Sequence, residues 1–423
     1  MSDLSIVAAD RLLTLDPFGK VHAPGALAMR DGRIVAVGPL SAMPPGKVQT
    51  FDGHVLLPGL INTHTHTPMW LFRGLTEDVP RGEWLGGRMR PLERQVTPED
   101  LKTAALAGCV ELLMNGVTTI ADRYAHMATI VEGVAASGLR AIVANSLYDD
   151  GAQEALATTE RLIEHVSGTP RVTVGIGPHA TDTCGPEVLR RVRALADRTG
   201  ARVFIHLAQS QAEVSARDDC AAYLDDLGLL GPDVVVAHCT YLTPDQAERV
   251  GRRGTAVAHC PSSNAKLEAR IAPIGSLRAS GAVVGLGTDA ASCNNGMDLF
   301  EEMKLASLLN KVAADDPAML TTTEVLRMAT IDGARALGLD RQIGSLEVGK
   351  RADLIAVRTS SARVQPWHDD AANLVYAARG SDVSAVWIDG EQLLREGKPT
   401  RLDAGTALSK AVEAAARLTR AVA

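Results

Sequence analysis

Aromatic residues are scarce in this chain of 423 residues, at 3% of the sequence, so Ala, Val, Leu and Ile must fill most of the core. The six cysteines are scattered and form no C-x-x-C pair, which favours free thiols over a disulfide framework or a cysteine-rich zinc site. No apolar run approaches the roughly 18 residues of a membrane span. The N-terminus also lacks a basic segment followed by an apolar one, so we expect a cytoplasmic protein that does not enter the membrane.

Positive charge is also in deficit: the chain has 43 Lys and Arg residues and 50 Asp and Glu residues, so its formal net charge is −7. Nucleic acids and anionic membranes attract basic surfaces, so neither is expected as a partner. With 46% hydrophobic and 22% charged residues, the composition is that of a folded protein rather than a disordered one. A cytoplasmic enzyme with a small-molecule substrate is the simplest interpretation.

The middle of the chain has the pattern of repeated βα units, since short β-branched segments alternate with longer segments rich in Ala, Leu, Glu and Arg. Eight strands are predicted, at residues 60–65, 117–121, 141–145, 172–177, 203–207, 234–238, 256–259 and 283–288. Helix-length segments such as 98–114, 186–198 and 244–252 separate them. Eight units favour an α/β fold of the (β/α)8 TIM-barrel type over a doubly wound sheet.

The two ends of the chain contain short strand-like segments joined by glycine turns. Neither end has enough strands to bury an apolar face alone, so the two ends are predicted to pair. The expected organisation is a small β-sandwich domain formed by residues 1–58 and 344–400, a barrel over residues 59–343 and a C-terminal helix over residues 401–423.

Four histidines and one aspartate lie at the ends of predicted barrel strands. His64 and His66 form an H-x-H at the end of the first strand, so both side chains point to the same face. His206 and His238 end the fifth and sixth strands, and Asp289 ends the eighth. All five therefore belong at the carboxyl end of the barrel, where active sites of this fold are built. Three imidazoles and a carboxylate suit Zn²⁺ and leave one position open for water.

Six motifs are spread over nearly the whole chain. They are Pro58-Gly-Leu-Ile-Asn-Thr-His-Thr-His66, His206, Ala237-His238-Cys239, His259-Cys-Pro-Ser-Ser-Asn264-Ala-Lys-Leu, Gly285-Leu-Gly-Thr-Asp289 and Gly344-Ser-Leu-Glu-Val-Gly-Lys350-Arg-Ala-Asp353-Leu. Together they resemble the amidohydrolase superfamily. The most similar branch contains chlorohydrolases and adenosine-type deaminases, including S-adenosylhomocysteine and methylthioadenosine deaminases, guanine deaminases and triazine hydrolases.

This resemblance implies that His64, His66, His206 and Asp289 bind a metal and that His238 lies beside it. The implied reaction is hydrolytic deamination of an aminated N-heterocycle, such as an adenine nucleoside derivative. In that reaction the metal would lower the pKa of its water toward about 7, Asp289 could accept the proton, and the resulting hydroxide would attack the carbon that carries the amino group.

One Zn²⁺ per chain is expected, with Fe²⁺ or Mn²⁺ as alternatives. Binuclear members of the superfamily use a bridging carboxylated lysine on the fourth strand, whereas residues 172–179 of this chain contain neither a lysine nor an acid. The family resemblance also implies a homo-oligomer, although no interface can be identified in the sequence.

Position 209 departs from the pattern of the deaminase branch. Its members usually read His-x-x-Glu after the fifth strand, and the glutamate passes a proton to a ring nitrogen; this chain reads His206-Leu-Ala-Gln209. Glutamine can donate a hydrogen bond but cannot transfer a proton at neutral pH. Either His238 and Asp289 handle all proton movement, the substrate needs no ring protonation, or the protein is catalytically weak. Glu213, one helical turn further, either replaces the acid by facing inward or is an ordinary helix residue.

Three residues are predicted to contact the substrate near the H-x-H motif and the fourth strand. His179 resembles a substrate-contacting histidine of the deaminase branch, and Glu83 resembles a glutamate that binds ribose hydroxyls. Trp70 follows the H-x-H motif and offers an indole that can stack on a planar ring. Their structural alternatives are a hydrogen-bonded loop histidine, a solvated acid and a tryptophan packed in a lid.

Two further candidates bear on substrate choice. Asn145 ends the third strand where some nucleoside deaminases of the branch have an arginine, which argues against a nucleoside. Arg270 lies near Glu268 in a segment where the family more often has small residues. These two charges either narrow the pocket and bind a charged group or are solvated on a surface loop.

Three functions remain open from the sequence. The leading one is a metal-dependent aminohydrolase that acts on the C–N bond of a cyclic amidine. The second is a triazine-type hydrolase that displaces chloride or alkylamine, because the same nucleophile attacks the same kind of electron-poor carbon. The third is a metal-containing binding protein or pseudoenzyme, for which Gln209 is the argument.

Overall fold

The computed structural model describes residues 4–166 and 168–422 and contains two separate sheets. The strands of the barrel sheet are β6 (Leu60–Thr65), β7 (Val117–Tyr124), β8 (Arg140–Leu147), β9 (Val172–Pro178), β10 (Val203–Leu207), β11 (Val234–His238), β12 (Ala256–His259) and β13 (Val284–Leu286). The strands of the terminal sheet are β1 (Ser5–Leu13), β2 (Val21–His22), β3 (Gly25–Arg30), β4 (Arg33–Gly38), β5 (Lys47–Pro58), β14 (Leu354–Arg358), β15 (Val383–Ile388), β16 (Glu391–Arg395) and β17 (Lys398–Pro399).

The barrel sheet pairs its eight strands in parallel and in chain order. At the seam between the first and last strands, Thr65 and Asp289 form a parallel bridge, and the Asp289 N–H donates to the His64 carbonyl at 3.0 Å. The predicted TIM-type barrel is confirmed. The seam hydrogen bond also joins two of the predicted metal ligands, so closure of the barrel sets their spacing.

Helices cover the outside of the barrel and the segments between strands. They are α1 (Arg90–Glu93), α2 (Pro98–Met114), α3 (Met127–Ser137), α4 (Ala152–Val166), α5 (Pro186–Thr199), α6 (Gln211–Ala216), α7 (Cys220–Asp226), α8 (Pro244–Arg252), α9 (Pro261–Glu268), α10 (Ile274–Ala279), α11 (Ala291–Asn294), α12 (Leu299–Ala314), α13 (Thr322–Met328), α14 (Ile331–Ala336), α15 (Asp370–Ala372) and α16 (Ala404–Val422). Short 3-10 turns occupy Leu40–Ala42, Thr67–Phe72 and Gly380–Asp382, and π-helical turns occupy Glu83–Met89 and Asn373–Ala377.

Local sequence explains where several helices begin. Thr97 and Thr243 each form a capping box, followed by a proline at the first helical position. These residues satisfy backbone N–H groups that would otherwise lack partners. Helix α2 then packs closely on the turn that follows the H-x-H motif, because a Cβ at Gly108 would lie only 2.8 Å from the Thr67 carbonyl oxygen. Only glycine allows this approach without a shift of the turn.

The terminal sheet is built from both ends of the chain. Its order is β17-β16-β15-β14-β5-β1-β3-β4, so β5 of the N-terminal segment pairs directly with β14 of the C-terminal segment. Leu12, Leu27, Leu56 and Trp387 are buried in one cluster that both segments share. The pairing of the two ends is confirmed, whereas the domain bounds at residues 58, 344 and 400 stay a prediction. Residues 1–3 and 423 lie outside the described part of the chain.

In the part of the chain that the structure describes, no helix combines the length and the apolar character that crossing a membrane requires.

Candidate active site

The five residues at the strand ends converge at the carboxyl end of the barrel and are all buried. One potential ligand atom each from His64, His66 and His206 lies within 4.8 Å of the others, and the same holds for His64, His238 and Asp289. The Asp289 Oδ1 atom is 3.7 Å from His64 Nε2 and 3.3 Å from His66 Nε2. The structure therefore brings together the five residues that the sequence predicted to meet.

Hydrogen bonds fix the orientation of these side chains. His66 Nδ1 donates to the Arg123 carbonyl, which leaves the Nε2 lone pair toward Asp289. The Nδ1 atom of His238 lies 3.0 Å from Asn264 Oδ1, so its Nε2 atom is also left without a proton. Histidines that bind metals commonly use their second nitrogen in this way.

The donor set fits a metal ion. His64 Nε2 is buried and has no hydrogen-bond partner among the described atoms. Ser263 donates to Asp289 Oδ2 at 2.6 Å and leaves Oδ1 toward the histidines. A buried nitrogen without a partner is costly in a protein interior unless another group binds it. Imidazole and carboxylate donors together suit Zn²⁺, and also Fe²⁺ and Mn²⁺.

Burial governs the protonation of the set. It lowers the pKa of His66 to about 4 and holds the pKa values of His64 and His206 well below their usual range. Burial alone would raise the pKa of Asp289, but the surrounding His238, His66 and His64 outweigh it and hold that pKa below its usual value. Neutral imidazoles and an ionised carboxylate are the forms that bind a metal.

A cavity of about 650 Å³ opens over this cluster, within the range of small-molecule sites. Its lining includes His66, His206, His238 and Asp289, and its aromatic residues are Trp84, Tyr124 and Tyr148. A second cavity of about 400 Å³ adjoins it, and Arg81, His179 and Gln209 line both spaces. The cluster is thus accessible to a ligand of nucleoside size.

Gln209 lies in the cavity but its side chain is already engaged. Arg81 Nη2 donates to Gln209 Oε1 at 2.6 Å, so the amide NH₂ is the part left for a ligand. Glu213 is fully buried, accepts from the Gln209 N–H at 2.9 Å and accepts from the Thr181 hydroxyl at 2.6 Å. Glu213 therefore holds the segment that carries Gln209 rather than facing the cavity as an acid.

His179 and Trp70 differ in their positions. His179 lines the cavity, stacks on Tyr148 with ring centroids 4.6 Å apart and lies 5.0 Å from the His206 ring. Trp70 donates to Glu111 Oε2 at 2.8 Å and packs against the hydrophobic core. The structure brings His179 to the site, but the Glu111 hydrogen bond holds Trp70 outside the cavity lining.

Three other predicted contacts also lie outside the cavity lining. Glu83 is exposed and pairs with Arg88 at 3.1 Å. The Asn145 side chain accepts from the Met127 N–H at 3.2 Å, where it supports the start of α3. Arg270 is exposed and its guanidinium lies over the Tyr241 ring. Their roles in substrate binding stay predictions that these positions do not support.

Several residues of the cavity were not identified from the sequence. Trp84 follows Glu83 in the same motif, but the motif did not show which of the two side chains turns inward. Arg81 and Arg123 carry no motif that marks a buried position. The second cavity does include Glu268, which accepts from the Tyr241 hydroxyl at 2.7 Å and lies 3.7 Å from Arg81.

The buried carboxyl of Glu302 makes hydrogen bonds to residues near the candidate metal ligands. Glu302 on α12 accepts from the Ser262 N–H at 3.2 Å and from the Asn294 side chain at 3.0 Å. Ser262 lies in the first turn of α9, next to Ser263, and Asn294 ends α11, the short helix that follows Asp289. Burial raises the pKa of Glu302 to about 8.

Glu302→Gln is expected to reduce the pH dependence of folding stability. The native carboxyl keeps its proton up to about pH 8, whereas the unfolded chain loses it near its ordinary pKa of 4.5. The resulting stabilisation is complete below pH 4.5 and is lost as the pH rises through 8. The free energy of unfolding of the wild type relative to the variant should fall by roughly 3 kcal/mol between pH 5 and pH 8.

Urea unfolding at the two pH values measures this difference. Glu413→Gln, an exposed change on α16, is the matched control and should show no such difference. If the difference in the free energy of unfolding between Glu302→Gln and the wild type is the same at both pH values, Glu302 is ionised in the native protein.

Comparison with known proteins identifies the chain's relatives. The model of the amidohydrolase family matches residues 55–393. The 5'-deoxyadenosine deaminase of Methanosarcina barkeri is 38% identical over 429 residues, which cover 99% of each chain. The 5-methylthioadenosine/S-adenosylhomocysteine deaminase of Syntrophobacter fumaroxidans is 40% identical over 400 residues and 91% of each chain.

A solved structure gives the same result. The adenosine deaminase from Xanthomonas campestris, crystallised with bound zinc, superimposes with a TM-score of 0.94 at 32% identity and covers 98% of each chain. Both the sequence and the structural match extend over the barrel and the terminal sheet. The chain therefore belongs to the amidohydrolase family and is a metal-dependent hydrolase.

Proposed function

We propose that the chain hydrolyses the exocyclic C–N bond of an adenosine-type nucleoside and releases ammonia. The observation that carries this proposal is the buried cluster of four histidines and an aspartate under a cavity with aromatic walls. The three relatives described are deaminases of adenosine or its derivatives, and two of them match the chain over nearly its whole length. Water and the nucleoside are the substrates, and the corresponding oxo-purine nucleoside and ammonia are the products.

The metal would be held by His64, His66, His206 and Asp289. When bound, it supplies a nucleophile at neutral pH by lowering the pKa of a water molecule. Asp289 is suited to receive the proton of that water, because Ser263 fixes one carboxylate oxygen and the other is left toward the site. One Zn²⁺ per chain is the expected content, with Fe²⁺ and Mn²⁺ as the alternatives.

His238 is suited to act on the nitrogen that leaves. Asn264 holds its Nδ1 atom and leaves Nε2 at the wall of the cavity. From this position His238 can carry a proton from the attacking water to the amino group, which then departs as ammonia. General acid and base groups of this kind contribute about 10² to 10⁴ in rate.

The ring of the substrate would lie between aromatic side chains and hydrogen-bonding groups. Trp84, Tyr148 and His179 provide flat surfaces along the cavity. Gln209 offers its amide NH₂ to a ring atom that accepts a hydrogen bond. Stacking on aromatic side chains adds about 0.5 to 1.5 kcal/mol beyond the area that is buried.

Ammonia release from a substrate panel tests the proposal. Protein of known zinc content is incubated with adenosine, 5'-deoxyadenosine, methylthioadenosine, S-adenosylhomocysteine, guanine, cytosine, pterins and aminotriazines. Turnover of an adenosine derivative is the expected result. Chloride or alkylamine release from triazines without ammonia release from nucleosides would overturn it, and tight binding of the panel without turnover would indicate a binding protein.

Gln209→Glu is expected to change kcat for the preferred nucleoside by less than about fivefold. The new carboxylate would occupy the position of Oε1, 2.6 Å from Arg81 Nη2, and a guanidinium at that distance keeps a carboxyl ionised. An ionised carboxylate cannot protonate the ring.

The double variant Arg81→Met/Gln209→Glu removes this guanidinium, and we expect it to be at least tenfold faster than its control, Arg81→Met alone. Initial rates of ammonia release compare the four proteins. A tenfold gain from Gln209→Glu alone would contradict the role assigned to Arg81.

Two further expectations concern the metal content and the oligomeric state. We expect one zinc per chain by elemental analysis of the purified protein. We also expect a homo-oligomer, which light scattering measures directly. A cytoplasmic location stays a prediction from the sequence.

A further inference from the structure

Arg123 presents a buried positive charge in the cavity, and no carboxylate of the described residues is hydrogen-bonded to it. It is the penultimate residue of β7, is 4% exposed and lines the cavity together with His206, His238 and Asp289. The polar partners of its guanidinium are the Ser146 hydroxyl at 3.5 Å and the His206 ring, whose Nε2 and Nδ1 atoms lie 2.9 Å and 3.1 Å from Nη2. Its Nε atom is buried without any partner in the described residues.

The fold makes room for this side chain. On β9, which β8 separates from β7 in the sheet, a Cβ at Gly177 would lie 3.0 Å from both Cγ and Cδ of Arg123. Any larger residue at position 177 would push the arginine out of its place. Asp289 and Asp122 act on the guanidinium only through space, and neither is hydrogen-bonded to it. A buried guanidinium without a directly paired anion is costly, so the arrangement indicates that a ligand supplies further negative charge.

The contact with His206 cannot persist when His206 binds a metal. A neutral imidazole has a single lone pair, and that lone pair either accepts from Arg123 or binds the ion. With His206 bound to the ion, the Arg123 guanidinium loses its main hydrogen-bond acceptor. It is then available to interact with a ligand in the cavity that it lines.

The deamination itself creates negative charge in the ring. The oxygen of the attacking water forms a C–O bond to the carbon that carries the amino group, and the electron pair of the adjacent C=N bond moves to the ring nitrogen. Departure of the protonated amino group as ammonia restores that pair to the ring. The negative charge on the ring nitrogen must be neutralised by a proton or stabilised by a fixed positive charge.

We propose that Arg123 faces the heterocycle and stabilises the negative charge that develops on its ring nitrogen. This inference rests on the proposed deamination. Gln209, whose oxygen is held by Arg81, is a neutral donor at the same cavity and cannot supply the missing charge. Because the guanidinium is permanently charged, the ring does not have to be protonated for water to add.

Three variants of position 123 test the proposal on zinc-loaded protein. Arg123→Met and Arg123→Gln remove the charge, and Arg123→Lys retains it. Both uncharged variants should lower kcat for the preferred nucleoside by about a hundredfold with KM changed by less than threefold, whereas Arg123→Lys should stay within tenfold of the wild type. Arg90→Met removes another arginine of the same cavity and should keep kcat within threefold.

Two measurements do not depend on turnover. The first is zinc affinity by competition with a chelator, which should rise at least fivefold in Arg123→Met because a positive charge beside the ion is removed. The second is ligand binding by calorimetry with barbiturate, a six-membered ring that carries a negative charge at neutral pH, and with uracil, its neutral counterpart. The wild type should bind barbiturate at least tenfold more tightly than uracil, and Arg123→Met should lose this preference.

The outcomes separate the two proposals. If the wild type deaminates no nucleoside but Arg123→Met loses the barbiturate preference, the proposed function fails and the charge assignment stands. If Arg123→Met keeps kcat within threefold and keeps the preference, the role of Arg123 is overturned. A loss of kcat that accompanies a loss of bound zinc would also overturn it, because Arg123 would then only support the ligand set.

Discussion

Replacing Asp289 by asparagine is expected to lower kcat for the preferred nucleoside by at least about a thousandfold. The carboxylate has two tasks, since it is an expected metal ligand and it is suited to receive the proton of the attacking water. Loss of the proton acceptor alone accounts for about 10² to 10⁴ in rate. An asparagine of the same size keeps the barrel seam, because the seam uses the backbone N–H of this residue rather than its side chain.

The measurement pairs initial rates with zinc affinity. Asp289→Asn should bind zinc at least tenfold more weakly, because a neutral amide replaces an anionic ligand. Asp150→Asn is the matched control, since Asp150 is exposed at the same cavity and should keep kcat within threefold. A rate of Asp289→Asn within tenfold of the wild type, measured at saturating zinc, would show that another group accepts the proton.

The barrel could be predicted from the sequence because strand length and hydrophobicity are local properties. Four of the eight predicted barrel strands have the observed bounds, among them Val203–Leu207 and Val234–His238. The eighth is shorter than predicted, Val284–Leu286 instead of 283–288. The residues that follow it turn toward the site, and Asp289 has a positive φ of 55° that a continuing strand cannot adopt.

The meeting of the candidate metal ligands could also be predicted, for a geometric reason. Parallel strands of a barrel end at the same rim, so residues at strand ends meet whatever the loops do. Substrate contacts lack such a constraint. Trp70 and Trp84 both belong to the long segment between β6 and α2, and only the side-chain partners decide which one faces the cavity.

Charged residues show the same limit. From the sequence, Arg123 is one of 43 basic residues and has no motif around it. Its burial follows from its place near the end of β7 and from the glycine at position 177 on β9, two strands away in the sheet and 54 positions later in the chain. Arg270, in contrast, drew attention as a departure from the family pattern and is exposed. Resemblance to the family therefore identifies the residues of the shared reaction. The packing of the fold decides which other side chains line the cavity.

His238→Ala and His206→Ala are both expected to lose activity, but only His206→Ala is expected to lose zinc. The geometry offers two overlapping sets of potential ligands, one with His206 and one with His238. In the proposed mechanism His206 binds the metal and His238 moves a proton. His238→Ala should therefore lower kcat by about a thousandfold while the protein keeps about one zinc per chain, because a proton-transfer group is lost without a ligand.

His206→Ala should lose both activity and zinc, because three donors remain where four are expected. Elemental analysis after dialysis against a weak chelator distinguishes the two variants. Asn264→Ala is a graded control, since it leaves His238 in place but removes the acceptor of its Nδ1 proton, and it should cost about tenfold in kcat with full zinc content. If His238→Ala loses the zinc and His206→Ala keeps it, the ligand set is His64, His238 and Asp289, and the proton-transfer role passes to another residue of the cavity.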